Sequence, residues 1–303
     1  MAPWIRIVGA ACALALCAAG AAQAQSQAQP QPRSAMVDVG GGVQLHVLET
    51  GTASNAPTIV LIPGWRLTAS VWSHQLETFG RTHRVIAFDP RSQGDSTKTG
   101  EGDTPEQRAR DYHAALETLH AGPIVLIGWS QGVQDVAAYV DQFGTDRIKA
   151  VVLVDSTISK GAADLPNVLP FAVRQFRLLP ILAEAPREFT DGLMRAIISR
   201  PVTDAERAQL VDQGMKTPSA ISQAMLIADL FGRDRSTALP KFKAPTLVIA
   251  SGRSAELEAQ KAMTAALPDG RIEVMPNAAH AVFVDDPETF ERLVGEFLAK
   301  VGG

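Results

Sequence analysis

From Met36 onward, short apolar runs alternate with longer stretches of helical period. Thr58–Ile62, Ile124–Gly128, Ile148–Val154 and Thr246–Ala250 are almost unbroken apolar segments, the mark of strands covered on both faces. Arg84–Phe88 and Arg271–Met275 read as further strands. Met36–Val39 and Val43–Leu48 read as a hairpin turning at Gly40-Gly41-Gly42. Between these lie helical patterns over Ala69–Phe79, Gln131–Phe143, Glu256–Leu267 and Glu288–Val301. Another helix, capped by Thr104, runs to about Leu119. Strand–helix alternation of this kind predicts an α/β domain with a mostly parallel sheet.

Two regions depart from the alternation. Residues 157–242 read as amphipathic helices punctuated by prolines, over Val168–Leu182, Arg187–Ser199, Asp204–Gly214 and Ser219–Phe231. They form a helical insertion outside the sheet. At the other end, Met1–Arg6 is a short segment with one cation, Ile7–Ala19 is apolar, and Ala22-Gln23-Ala24 offers the small-x-small pattern of a cleavable export leader. The expected leader is residues 1–24, followed by a disordered Gln- and Pro-rich linker over 25–35 and the folded domain over 36–303. The apolar run is too short for a comfortable bilayer span, so no stable membrane insertion is expected. Both cysteines, Cys12 and Cys17, fall in the leader, so the processed chain holds no disulfide, thiol nucleophile or Cys-ligated metal. An exported chain without cystines fits a bacterial periplasm or the secreted fraction.

Composition adds little beyond ordinary globular character: 46% hydrophobic residues and 20% charged residues. A net charge of −4 gives no electrostatic footprint for nucleic acid.

The chemistry is carried by a few short segments. Gly128-Trp129-Ser130-Gln131-Gly132 matches G-x-S-x-G between a buried strand and a helix. Such a tight turn needs Gly at both flanks and lifts the serine hydroxyl to a helix N-terminus, where developing negative charge is favoured. Ile62-Pro63-Gly64-Trp65 ends an earlier strand. An acyl-transfer site needs two amide donors for an oxyanion, and Gln131 and Trp65 are the candidates. Asp89–Ser96 is a polar turn suited to bracing neighbouring loops. His280, in the loop after the last strand, is the candidate base. Trp65, Trp129, Val282 and Phe283 flank these groups as pocket candidates. Phe171, Phe176, Leu178, Met194, Met225 and Leu226 are candidates for the pocket roof.

Together, Pro63-Gly64-Trp65, the Asp89–Ser96 turn, Gly128–Gly132 and the His280 segment running into Asp286-Pro287-Glu288 resemble the α/β-hydrolase superfamily, over about Met36–Val301. Within it the chain is similar to lidded serine esterases, cofactor-free perhydrolases and C–C bond hydrolases. The resemblance implies a mostly parallel eight-stranded sheet flanked by helices, with residues 157–242 as a cap inserted after the sixth strand. It also implies a small-molecule ester substrate and an acyl-enzyme, with no metal or organic cofactor. Ser130 as nucleophile argues against dehalogenase and epoxide hydrolase chemistry, which need a carboxylate there. The triad acid departs from the family pattern. The usual position, after the seventh strand, falls near Ser254, and no Asp stands there. Asp155, at the end of the sixth strand, and Glu256 are the candidates, with a Ser–His dyad as the remaining option. The irregular acid region also leaves open a non-hydrolytic, ligand-binding member of the fold. The oligomeric state is not legible.

Overall fold

In the computed structural model, which describes residues 31–52 and 55–301, eight strands form one sheet in the order β1-β2-β4-β3-β5-β6-β7-β8. The strands are β1 (Arg33–Asp38), β2 (Gln44–Thr50), β3 (Thr58–Ile62), β4 (Val85–Phe88), β5 (Ile124–Trp129), β6 (Ile148–Val154), β7 (Thr246–Ser251) and β8 (Gly270–Met275). Only β2 runs against the others. The expected leader and the linker up to Pro30 lie outside the described residues.

Strands β3, β4, β5 and β7 are buried at every position. Their side chains alternate between two apolar clusters. On β5, Ile124 and Leu126 join one and Val125 and Ile127 the other. That two-sided burial is why these strands read as unbroken apolar runs. β1 behaves differently. It starts at Arg33, three residues before the expected boundary, because Arg33 pairs with Glu49 across the hairpin. As an edge strand it buries only Val37, so its pattern is mostly polar.

The flanking helices are α1 (Ser73–Phe79), α2 (Pro105–Thr118), α3 (Gln131–Phe143), α9 (Leu257–Ala266), the short α10 (Val282–Asp285) and α11 (Pro287–Val301). A 3-10 turn over Ala69–Trp72 precedes α1. Thr104 caps α2, its hydroxyl accepting from the Gln107 amide at 3.2 Å. Between β6 and β7 stands the cap: α4 (Leu165–Phe176), α5 (Leu179–Glu184), α6 (Pro186–Ile197), α7 (Asp204–Met215) and α8 (Ser219–Phe231). The single helix expected over Val168–Leu182 is therefore two. Pro180 has no N–H to give and its ring crowds the carbonyl four residues back, so it sits in the first turn of α5, where neither costs a helical bond, instead of extending α4.

Candidate active site

Strand register assembles the site. Ile62 pairs with Gly128 and Val154 with Trp129, so β3, β5 and β6 end side by side at their C-terminal edges. The Ser130 amide donates to the Val154 carbonyl at 3.0 Å. Ser130 itself adopts φ +55° and ψ −118°, the strained turn that lifts its hydroxyl above the sheet. Only glycine fits beside it: a Cβ on Gly128 would meet the Gly132 carbonyl oxygen at 2.5 Å, and one on Gly132 would meet the Ile62 carbonyl oxygen at 2.7 Å.

The structure brings Ser130, His280 and Asp155 together. Ser130 Oγ lies 2.8 Å from His280 Nε2, and His280 Nδ1 lies 2.8 Å from Asp155 Oδ2. As a carboxylate, Asp155 accepts from Nδ1–H, which leaves Nε2 to accept the serine proton. Asp155 is 4% exposed and has φ +42°. Its second oxygen accepts from the Ser251 amide at 2.9 Å and from Gln260 Nε2 at 3.0 Å. Gln260 Nε2 also donates to Ser254 Oγ at 3.2 Å, near the position after the seventh strand where the family pattern puts its acid. Glu256 is exposed, and its described hydrogen bonds go to the Thr157 amide and hydroxyl at 3.3 and 3.2 Å, none to His280.

The His280 loop is held at several points. Ser251 Oγ donates to the Ala278 carbonyl at 2.7 Å, and Trp129 Nε1 donates to the His280 carbonyl at 2.9 Å. Asp285 accepts from the amides of Ala279, Ser199 and Arg200, which ties the loop to the end of α6.

The second oxyanion candidate follows a glycine packed against the nucleophile. Gly64 packs so closely on the nucleophile that an added Cβ would lie 3.1 Å from Ser130 Cβ. Trp65 follows it, and the Gln131 amide opens α3. Among the described residues, neither amide donates to another protein group. Arg66, which sequence reasoning passed over, anchors this loop. It has φ +65° and no exposure, and its amide donates to Gln93 Oε1. Its guanidinium donates to Ser222 Oγ at 2.6 Å and to Thr190 Oγ1 and the Gly214 carbonyl at 3.1 Å each, joining α8, α6 and α7 to the oxyanion loop. Burial lowers its pKa to about 10. The Asp89–Ser96 turn braces the same loop, Asp89 accepting from the Ala69 amide at 2.6 Å and the Asp95 amide at 2.7 Å.

Several pocket candidates sit elsewhere. Trp129, Val282 and Phe283 are at most 1% exposed. Phe283 stacks on Trp72 at 3.8 Å and meets Trp129 edge-on at 5.0 Å. They form a packed wall behind His280 instead of an open lining, because α10 drives its apolar side chains into the core. In the cap, Met194 and Met225 are buried, while Leu178 is 40% exposed on the outside. Trp65 is half-buried, its ring edge-on to Phe189 and its Nε1 donating to the Ser222 carbonyl at 2.8 Å.

A buried ionic cluster lies beside the elbow. Arg108 pairs with Asp135 at 2.8 Å and with Asp229 of the cap at 3.4 Å, and Tyr112 donates to Asp135. Gln131 donates its side-chain amide to Asp229. Burial, reinforced by Asp135, raises the Asp229 pKa to about 6 against the pull of Arg108 and Arg235. An unfolded Asp titrates near about 3.9, so the native state binds this proton more tightly. The stability it contributes is complete below about pH 4 and is lost as pH rises through about 6. Asp229→Asn keeps an acceptor for Gln131 but does not titrate. In urea unfolding, the variant should gain on the wild type between about pH 4 and 6 and hold that gain above. A difference that does not change with pH would remove Asp229 as the titrating group.

Metal-type donors group once among the described residues, at His46, Asp89 and Asp95. The Asp89 carboxylate there is already engaged by His46 Nδ1 and two backbone amides.

Comparison with known proteins agrees with this architecture. The model of the alpha/beta hydrolase family matches residues 59–293. A non-heme chloroperoxidase of Kitasatospora aureofaciens is 27% identical, over 80% of this chain and 92% of its own. In fold, the chain is like a bromoperoxidase from Bacillus anthracis (TM-score 0.76, 23% identity, 88% of this chain and 100% of that one). It is also like a thermophilic esterase from Thermogutta terrifontis (TM-score 0.74, 22% identity, 89% and 99%).

Proposed function

Because the chain belongs to the α/β-hydrolase family, we propose that it is a serine carboxylesterase acting on small to medium apolar esters through an acyl-enzyme. The observation that carries this reading is the unbroken relay Ser130–His280–Asp155, with both links at 2.8 Å. His280 Nε2 takes the Ser130 proton as Oγ attacks the ester carbonyl. The carbonyl oxygen gains the negative charge and is held by the amides of Trp65 and Gln131. When the adduct collapses, the C–O bond to the alcohol breaks and His280 returns the proton to the departing oxygen. Water then attacks the acyl-enzyme, losing a proton to His280, and the carboxylic acid leaves as Ser130 is restored. Asp155 fixes the imidazole tautomer and stabilises the imidazolium throughout. No step calls for a metal or organic cofactor.

Perhydrolysis is the second reading, favoured by the chloroperoxidase relative. It needs only hydrogen peroxide in place of water at the acyl-enzyme, which releases a peracid. Turnover of a series of p-nitrophenyl esters, run beside peroxide-dependent bromination in carboxylate buffer, separates the two. Ester turnover far above bromination supports the esterase. Bromination that matches it supports the perhydrolase, and no turnover in either assay sinks both. The leader over residues 1–24 is the basis for proposing that the enzyme acts in the periplasm or outside the cell.

A further inference from the structure

Helices α4 and α5 are rich in apolar residues yet bury almost nothing. Of the twelve residues of α4 only Ala172 is buried, and of the six of α5 only Leu182. Leu165, Leu169 and Val173, at 44%, 50% and 42% exposure, recur every fourth residue and form one stripe along α4. Leu178 and Ile181, at 40% and 43%, extend it onto α5, and Ile227 of the adjoining α8 is 48% exposed. Amphipathic helices of a globular enzyme normally turn such a stripe inward. A contiguous exposed patch of this kind marks an interaction surface.

Charge identifies the partner. Between Asp164 and Glu184 the only charged residues are Arg174 and Arg177. Both are exposed, and both line the same shallow groove as Leu169 and Val173. The chain as a whole carries −4, so this face runs against the average. Two copies meeting through it about a twofold axis would set arginines against arginines with no carboxylate in the stripe. Apolar side chains rimmed by cations are instead the composition of a helix lying in the interface of an anionic bilayer.

We propose that the outer face of α4 and α5 docks the protein on the surface of an anionic phospholipid bilayer. The attachment is peripheral, since it uses one exposed face of two short helices of the cap, and no helix among the described residues is long and apolar enough to cross a membrane. It sets the cap, whose helices α6, α7 and α8 are tied through Arg66 to the loop beside Ser130, against a phase in which apolar esters concentrate. This goes beyond the esterase reading, and binding is measured without turnover.

The test is flotation of the protein with phosphatidylcholine vesicles, with and without phosphatidylglycerol, at low and high salt. The wild type should float with the phosphatidylglycerol vesicles and bind about tenfold more weakly to phosphatidylcholine alone or at high salt. Leu169→Glu/Val173→Glu should lose binding by about tenfold or more, while its melting temperature and its turnover of a soluble short-chain ester stay unchanged. Arg174→Gln/Arg177→Gln should bind both vesicles equally. This second variant carries the test if the first fails to fold. The proposal is overturned if the wild type does not float, or if the Glu variant floats equally well. It is also overturned if the wild type forms a dimer that the Glu substitutions break, since the face would then belong to a second copy. Flotation without ester turnover would leave the docking standing and the esterase reading fallen.

Discussion

Ser130→Ala should abolish labelling by a fluorophosphonate, read as intact mass, and lower kcat for an ester by about 10⁴- to 10⁶-fold. The size follows from what the substitution removes. The amides of Gln131 and Trp65, the His280–Asp155 pair and the cap all remain, so a small residual catalysis from oxyanion binding survives. With no hydroxyl at position 130, the proposed acyl-enzyme cannot form. Folding should be unaffected, because alanine faces the same backbone strain at φ +55° that serine already bears and every elbow glycine is kept. An unchanged circular dichroism spectrum checks this. Labelling that persists in the variant would move the nucleophile elsewhere, and a wild type that never labels would return the chain to the ligand-binding reading.

Why the sequence identifies Ser130 by itself, and its acid only as Asp155 ahead of Glu256, comes down to distance along the chain. The elbow is local: a buried strand, two obligatory glycines and a helix start fall within a few residues, so pattern alone identifies it. Thr58–Ile62, Gln131–Phe143 and Ile148–Val154 match the observed elements residue for residue, because two-sided burial or a strong helical face leaves a continuous local trace. The edge strand β1 is half solvated, and its first residues are fixed by a partner on β2, so its start was missed. The acid depends on parallel register between β5 and β6, together with Gln260 arriving from α9. Neither has a local signature. Position along the chain favours Asp155, with Glu256 as the alternative, and only the folded register puts Asp155 on His280. Arg66, Asp229 and Asp285 were overlooked for the same reason: each looks like an ordinary polar residue until the cap or the His280 loop is folded against it. The wall of Trp129, Val282 and Phe283 shows the converse: nearness to reactive groups in sequence does not fix exposure, because α10 turns its apolar side chains into the core.

Asp155→Asn is the substitution that decides the acid, with an expected fall in kcat of roughly 10⁴-fold. The structure makes it a clean change. Asparagine keeps a carbonyl oxygen for the Ser251 amide and the Gln260 side chain, so the bonds joining β6, β7 and α9 persist. What it loses is the negative charge facing His280 Nδ1. An amide NH₂ turned toward that nitrogen would hold the imidazole proton on Nε2, leaving no acceptor for the Ser130 proton and no stabilisation for the imidazolium. Fluorophosphonate labelling should slow in parallel, because it depends on the same proton transfer. Glu256→Gln is the matched control. It alters an exposed carboxylate whose described bonds go to Thr157, and kcat should change by less than about threefold, as expected for a surface substitution. The reverse outcome, a tolerant Asp155→Asn and a crippled Glu256→Gln, would mean that the loop after β7 rearranges to bring the glutamate to His280. Two tolerant variants would mean that a Ser–His dyad suffices.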